Sequence, residues 1–336
     1  MNPRVSIVII NWKTPRLLAA CLDSLLKDAD HGNFEVWVVD NASGDESLAI
    51  LAKDYPGVHV IANDDNLGFS RACNQAIPET KGTYVLLLNP DTVVVDSAVS
   101  KLADFMDQNE KVGACGPKVL NPDGTLQLAC RRSFPDPIAS FFRLTYLSRL
   151  FPGNKYFARY NLTYEDANAT LQVDALSGSA MMVRRSVIDK IGLLDENIFM
   201  YGEDIDWCWR VKEAGWQVCY VPQAVVYHYH GASSRKRPVG ATINLHRGMH
   251  VFYRKHLAPK YWAPFNWLVY LAIWFRAAIF IVIGTIRHLL PNATKSPDTV
   301  AQASDQQEPS QTFADDAEDD KATAPSAQID TTRQKQ

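Results

Sequence analysis

Between Ala214 and Pro297 the sequence has no aspartate or glutamate, although its 336 residues carry 37 acids in all. The same stretch holds ten lysines and arginines, among them Arg235, Lys236 and Arg237. A region of one sign attracts polyanions, so nucleic acid, diphosphates and anionic lipid are open as ligands, beside a merely solvated basic face. The acids collect at the end. Residues 297–336 hold nine acids and three bases, a balance of −6, which leaves +3 for the rest of a chain whose net charge is −3.

Other absences narrow the class further. The six cysteines show no CxxC spacing and no compact framework, which argues against a disulfide scaffold or a zinc ribbon and for reduced thiols inside a cell. No secretory signal precedes the first apolar run. The turn after that run, Asn11-Trp12-Lys13-Thr14-Pro15, contains no glycine, which excludes a nicotinamide-binding fingerprint, and no GxxxxGK[ST] loop occurs. A diphosphate ligand then needs another device, and a divalent cation held by carboxylate is the usual one.

What is present is a regular alternation. Val5–Ile10 reads as a strand buried on both faces, Pro15 opens a helix with Leu18, Cys21, Leu22 and Leu25 on one stripe, and Phe34–Val39 is a second strand. A helix at Ser47–Ala52, a strand at Val58–Ala62, a helix at Ser70–Ile77 and a strand at Tyr84–Leu88 follow. Such an order predicts an α/β fold with a mainly parallel, doubly wound sheet, whose ligand lies beyond the carboxyl ends of the strands. Asn11, Asp40-Asn41, Asn63 to Asn66 and Asn89-Pro90-Asp91 stand at those ends. From Val112 to His230 the pattern is less regular and reads as an acceptor-side half of the same domain, with a helix at Glu203–Ala214 and a strand at Trp216–Val221.

Trp267–Ile286 is a twenty-residue run whose only charge is Arg276, with apolar residues on all sides. A mid-span arginine costs roughly 2.5–3.5 kcal/mol, and the eleven Leu, Ile, Val and Phe residues of the run return roughly 3–7 kcal/mol. A hydrophobic C-terminal helix that lies in or crosses a membrane is expected, with Tyr261, Trp262, Trp267 and Trp274 as interfacial anchors. The chain divides into residues 1–255, a membrane-associating segment 256–296 and a disordered acidic tail 297–336.

Three clusters carry candidate chemistry. Asp91 follows an apolar strand directly, so its carboxylate projects into the crevice as a metal ligand, although a lone Asn-Pro-Asp equally suits a turn or cap. Glu203, Asp204 and Asp206 fall within four residues beside aromatics and Gly202. Acids there complement a helix dipole, and one could also serve as general base. His228 and His230, followed by Gly231-Ala232-Ser233-Ser234, would add nitrogen to a site for Mn2+ or Mg2+.

Taken in order, these segments resemble one family. Val5–Trp12 is similar to the opening of family 2 glycosyltransferases of the GT-A fold, Val38–Ser43 to their nucleotide-base loop, and Asn66-Leu67-Gly68-Phe69 through Asn74 to their next segment. Leu88–Thr92 resembles their metal loop, and Tyr201–Asp206 and His228 with Gly231-Ala232-Ser233 their later motifs. The likeness covers residues 4–255. It implies an inverting glycosyltransferase with a GT-A catalytic domain at 1–255. In it Asp204 is the catalytic base, and Asn11, Asp40, Asn41, Asn66, Gly68, Phe69, Asn74, Asn89 and Asp91 bind the nucleotide sugar. Asp91 and His228 are the metal ligands, with His228 taken over His230 because His-x-x-Gly-x-Ser begins there. Glu203, Asp206, Arg131 and Arg132 lie on the acceptor side. Gln127–Phe134 is similar to the rhamnosyltransferase branch, which implies dTDP-rhamnose as donor, a lipid-diphosphate-linked glycan as acceptor and work at the cytoplasmic face of a bacterial inner membrane. No nucleic-acid-binding module accompanies Arg235–Arg237, so nucleic acid is not expected as a partner. The metal loop offers one carboxylate. A silent nucleotide-sugar-binding or scaffold protein at the membrane is the alternative.

Overall fold

A computed structural model of the protein describes residues 2–27, 33–229 and 238–289, with side chains through residue 286. His230, Gly231–Ser233, the basic run Arg235–Arg237 and the tail 297–336 lie outside the described residues. The first apolar run is β1 (Val5–Asn11), and the chain continues through α1 (Pro15–Lys27), β2 (Phe34–Asp40), α2 (Ser47–Asp54), β3 (His59–Ala62), α3 (Phe69–Ala76) and β4 (Tyr84–Leu88). β5 (Thr92–Val95), α4 (Ala98–Gln108), β6 (Val112–Leu120), β7 (Arg131–Arg132), α5 (Pro137–Leu144) and α6 (Leu147–Leu150) follow. Next come β8 (Leu171–Gln172), β9 (Ala175–Leu176), β10 (Ala180–Arg184), α7 (Arg185–Ile191), α8 (Glu203–Glu213) and β11 (Gln217–His228). The described part closes with α9 (Pro238–Phe252), a π-helical turn Tyr253–Leu257 and α10 (Ala263–Leu289).

Nine strands form the main sheet, in the order β3-β2-β1-β4-β10-β6-β11-β5, with β8 paired to β11. The group β3-β2-β1-β4 is parallel, as the helical crossovers between its members require. The remainder departs from the mainly parallel sheet expected. β10 is inserted antiparallel between β4 and β6, and β5 and β8 run antiparallel to β11. β5 and β10 are each reached through a three-residue loop, Asn89–Asp91 and Ser177–Ser179, with no helix to turn the chain back. The sheet is therefore mixed.

Side chains alternate across β1 to feed two cores. Val5, Ile7 and Ile9 pack with Leu18, Leu22 and Leu25 of α1 and Leu102 and Met106 of α4. Val8 and Ile10 face the other way, with Phe69, Ala72 and Cys73 of α3, Val187 of α7 and Trp207 and Val211 of α8. The strand expected at Trp216–Val221 runs on to His228, because a bulge between Val221 and Val225 carries the ladder past Pro222. That extension sets His228 opposite Thr92.

By contacts, Met1–Gly284 is one unit and Thr285–Gln336 another, with no division of the packing at 255/256. Within the first unit, Val269 and Tyr270 of α10 pack onto the core, and Ile273 and Ala277 are buried. Leu268, Leu271 and Phe275 are 62%, 65% and 71% exposed, so only a narrow stripe of this apolar helix meets protein. Arg276 donates to His246 Nε2 at 2.9 Å, and the ring's Nδ1 lies 2.7 Å from the Thr242 carbonyl. The one charge in the run thus has a partner on α9. Within α10 the 24-residue segment Ala263–Ile286 is long and apolar enough to cross a membrane, with a mean hydropathy of 2.1 over its most apolar 18 residues.

Candidate active site

The ends of the parallel strands are knitted by amides. Asn11 donates to Asp40 Oδ1 at 2.8 Å, to Ser43 Oγ at 3.1 Å and to Ser47 Oγ at 2.9 Å, and Asp40 Oδ2 accepts from the Ser43 N–H. Asn41 donates to Asn66 Oδ1 and the Gly68 carbonyl, while its own oxygen accepts from Asn63 and the Leu67 N–H. Asn11, Asp40 and Asn41 are each at most 2% exposed. Asn11 and Asn41 accordingly hold the shape of the loops, a structural role beside the ligand contact expected of them.

Gly68 has φ +84°, and a Cβ there would stand 2.6 Å from the Phe199 side chain and carbonyl. Only glycine permits that approach. Phe69 N–H donates to the Phe199 carbonyl and Ser70 Oγ to that of Ile198. Asn74 exchanges hydrogen bonds with the backbone of Leu194, so it ties α3 to the loop that launches α8. On the far side of this loop, Gly248 of α9 lies so close to Tyr201 that a methyl group would overlap its carbonyl.

The three clustered carboxylates have three fates. Asp204 Oδ2 receives Arg132 Nη2 at 2.6 Å and the Gly178 N–H at 3.1 Å. Glu203 is 7% exposed, and its Oε2 has no hydrogen-bond partner among the described residues. Burial, reinforced by the neighbouring charge of Asp204, pushes the Glu203 carboxyl well above its ordinary range. Asp206, expected on the acceptor side, is fully buried between Arg210, Lys255 and His256, so it anchors α8 to the Tyr253–Leu257 turn. Arg131 is likewise buried, donating to the carbonyls of Glu165 and Asp166 and stacking on Tyr220.

Asp91 and His228 meet through the β5–β11 pairing, with Asp91 Oδ1 3.1 Å from His228 Nε2. His228 Nδ1 lies 2.9 Å from Gln127 Oε1, and Gln127 Nε2 donates to the His228 carbonyl at 2.7 Å. That second bond fixes the Gln127 amide with its oxygen toward the ring. An amide oxygen only accepts, so Nδ1 donates to Gln127, and Nε2 is the ring atom that faces Asp91 and the Asn89 amide, 3.2 Å away. No cluster of three or more His, Cys, Asp or Glu suited to a metal occurs among the described residues. One carboxylate and one imidazole fit a hard divalent ion that keeps waters and takes substrate phosphate as further ligands.

Residues 3–248 match the sequence profile described as Glycosyltransferase like family 2. The chain is a family 2 glycosyltransferase. It is 29% identical over 243 residues to the N-acetylglucosaminyl-diphospho-decaprenol L-rhamnosyltransferase of Mycobacterium tuberculosis, covering 69% of this chain and 78% of that protein. Against the dTDP-rhamnosyl transferase RfbF of Shigella flexneri it is 25% identical over 257 residues, 76% of this chain and 78% of the other. Among solved structures, the mannosyltransferase PcManGT from Pyrobaculum calidifontis, in complex with GDP-Man and Mn2+, superposes with a TM-score of 0.51. The identity is 15%, and the match covers 91% of this chain and 80% of that one. S. aureus TarS gives 0.52 at 16% identity, over 77% of this chain and 40% of TarS. These likenesses establish the GT-A fold.

Gln127 and Gly248 escaped the sequence reading as site residues of the glycosyltransferase. Gln127 stands 101 residues from its histidine, and the segment it opens draws attention through its arginines. Gly248, in Arg247-Gly248-Met249, carries no local signal of a close approach.

Proposed function

We propose that this glycosyltransferase moves rhamnose from dTDP-rhamnose to a lipid-diphosphate-linked glycan, with inversion, at the cytoplasmic face of a bacterial inner membrane. The contact of Asp91 with a His228 ring held by Gln127 carries the reading, because it offers a carboxylate and an imidazole together to a divalent ion. Asp91 and His228 would hold Mn2+ or Mg2+, which when bound supplies charge neutralisation at the leaving diphosphate. Asp204 takes the proton of the acceptor hydroxyl. That oxygen bonds to the anomeric carbon from the face opposite the diphosphate, and the electron pair of the breaking C–O bond leaves with the nucleotide. Arg132 and the Gly178 N–H orient the Asp204 carboxylate, and Asp40 and Asn41 support the base and ribose loop. The rhamnosyltransferases among the relatives support the donor, and the decaprenol-linked substrate in the name of one supports the acceptor class. The exposed apolar surface of α10 supports the membrane.

The test is a donor screen on the full chain in lipid nanodiscs, with an N-acetylglucosaminyl-diphospho-polyprenol acceptor and Mn2+, Mg2+ or a chelator. Metal-dependent dTDP release with a product of opposite anomeric configuration is expected. Retained configuration would refute the mechanism, and nucleotide binding without turnover of any donor would favour the silent scaffold instead.

A further inference from the structure

Between β7 and β8 the chain makes an excursion with a second acid-free composition. Residues 137–164 contain no Asp or Glu and carry Arg143, Arg149, Lys155 and Arg159. Here α5 is apolar on both faces. Ala139 and Phe142 point inward, where Phe142 meets the rings of Tyr156 and Phe157 at 5.0 Å, while Ile138, Phe141 and Leu144 are 48%, 56% and 52% exposed. Leu150 and Phe151, at the end of α6, continue that outer surface at 69% and 50% exposure. Exposed apolar side chains interspersed with cations suit a contact with something apolar beneath an anionic rim.

Two placements say what that is. Arg276 of α10 lies within electrostatic range of the Arg143 guanidinium and the Tyr146 hydroxyl, so the excursion stands near the apolar helix. The excursion is also closed at its base next to the catalytic carboxylate. Ser133 N–H donates to the Tyr160 carbonyl, Arg131 holds the carbonyls of Glu165 and Asp166, and Arg132 pairs with Asp204.

We propose that α5 and α6 are a second membrane-contacting element. Ile138, Phe141, Leu144, Leu150 and Phe151 enter the interface of an anionic bilayer, and Arg143, Arg149 and Lys155 meet its headgroup phosphates. The element lies flat, since α5 and α6 are far too short to span. It rests on the reading of α10 as membrane-associated and of the acceptor as lipid-linked, and it adds the route: a lipid-borne acceptor arrives beside the elements that anchor Arg132 and Asp204.

Because all six native cysteines are buried, an introduced one takes a nitroxide label selectively. Phe141→Cys, Leu150→Cys, Leu271→Cys on α10 and Gln108→Cys at the exposed end of α4 are labelled in the full chain, bound to phosphatidylglycerol-rich vesicles. Collision rates with oxygen and with a water-soluble nickel chelate are then compared by EPR. At positions 141 and 150 the oxygen-to-nickel ratio is expected to exceed that at 108 by roughly tenfold, as for side chains seated in the acyl boundary. Labels at 141 and 150 that match 108, while 271 reports lipid, would overturn this proposal and leave the membrane reading of α10 standing. If 271 also matches 108, the membrane reading fails and this proposal with it. Concentration-dependent shielding from both collision partners without vesicles would assign the face to a second copy of the chain, which equally overturns it. The same contrast in pure phosphatidylcholine, whose phosphate is balanced by choline, would overturn the part of the proposal that calls for an anionic bilayer and gives the three basic residues a role in it.

Discussion

Replacing Asp206 with asparagine separates two accounts of the acidic cluster. On the acceptor-side account, Asp206→Asn weakens acceptor binding and leaves the fold alone. On the structural account it leaves Arg210, Lys255 and His256 facing one another without their shared anion. Arg210 Nε lies 2.9 Å from the carboxylate, Lys255 Nζ 2.8 Å and His256 Nε2 2.7 Å. Burial alone would raise the Asp206 pKa, but the hydrogen bond from His256 and the charges of Arg210 and Lys255 overcome it and bring it from 3.8 to about 2. At 1.36 kcal/mol for each tenfold change in proton affinity, ionised Asp206 contributes about 2–3 kcal/mol to folding at neutral pH. A depressed carboxylate pKa gives stability that is present above the unfolded value near pH 4 and is lost as pH falls through the folded value near 2. Asp206→Asn should therefore destabilise by about 2–3 kcal/mol or more, since breaking a buried pair leaves uncompensated charge. For a unit of this size the melting temperature should fall by roughly 3–5 °C or more. Tryptophan fluorescence melts from about pH 7 down to pH 2 would show the wild-type and variant curves converging at the acid end. An unchanged melting temperature with a raised acceptor KM would refute the structural account.

Four further changes probe the site. Asp204→Asn should lower transfer by about 10²–10⁴-fold with dTDP affinity intact, and wild-type turnover would remove Asp204 as the base. Gln127→Ala frees the His228 ring, so Mn2+ affinity measured by EPR in the presence of nucleoside diphosphate should fall about 10–100-fold, and an unchanged affinity would deny Gln127 its hold on the ring. Gly248→Ala sets a methyl against the Tyr201 carbonyl, which should cost about 1–3 kcal/mol in stability and lower kcat by moving the start of α8; full activity with an unshifted melt counts against the close approach. Because the Glu203 carboxyl is raised by burial, the wild type loses stability as pH climbs above the ordinary carboxyl range toward the raised folded value. Glu203→Gln has no such loss, so its melting temperature should gain on the wild type between about pH 5 and pH 8, and parallel curves would place an ionised Glu203 in the fold.

Legibility followed the range of the interactions. β1, α1, β2 and β4 are readable because each buries a local apolar run, and their parallel order follows from helical crossovers. The insertion of β10 between β4 and β6 is a pairing across about a hundred residues, with nothing in Ala180–Arg184 to say which neighbour it takes. Pro222 concealed the length of β11, since a bulge that absorbs a proline looks in sequence like a strand end. At the site, residue types at strand ends identified Asp91 and His228 as candidates, but the atom that each presents depends on Gln127, far away in sequence. Glu203, Asp204 and Asp206 read as one cluster because sequence spacing shows adjacency. A helix separates its successive side chains by about 100°, so these three look toward different surroundings.

That separation makes α8 the junction of the molecule. Asp206 fastens it to the turn before α10, Asp204 meets Arg132 at the base of the α5–α6 excursion, and the loop ahead of it is pressed between Gly68 and Gly248. The proposed base is thus positioned from the nucleotide loops on one side and from both proposed membrane elements on the other. Displacing either membrane element should then act on the orientation of Asp204 before it acts on the donor, whose loops are also held by hydrogen bonds among Asn11, Asp40, Asn41, Asn66 and Gly68 themselves. An enzyme built this way would release nucleotide from donor slowly in detergent micelles and faster when bilayer holds α5–α6 and α10 together, with dTDP affinity the same in both.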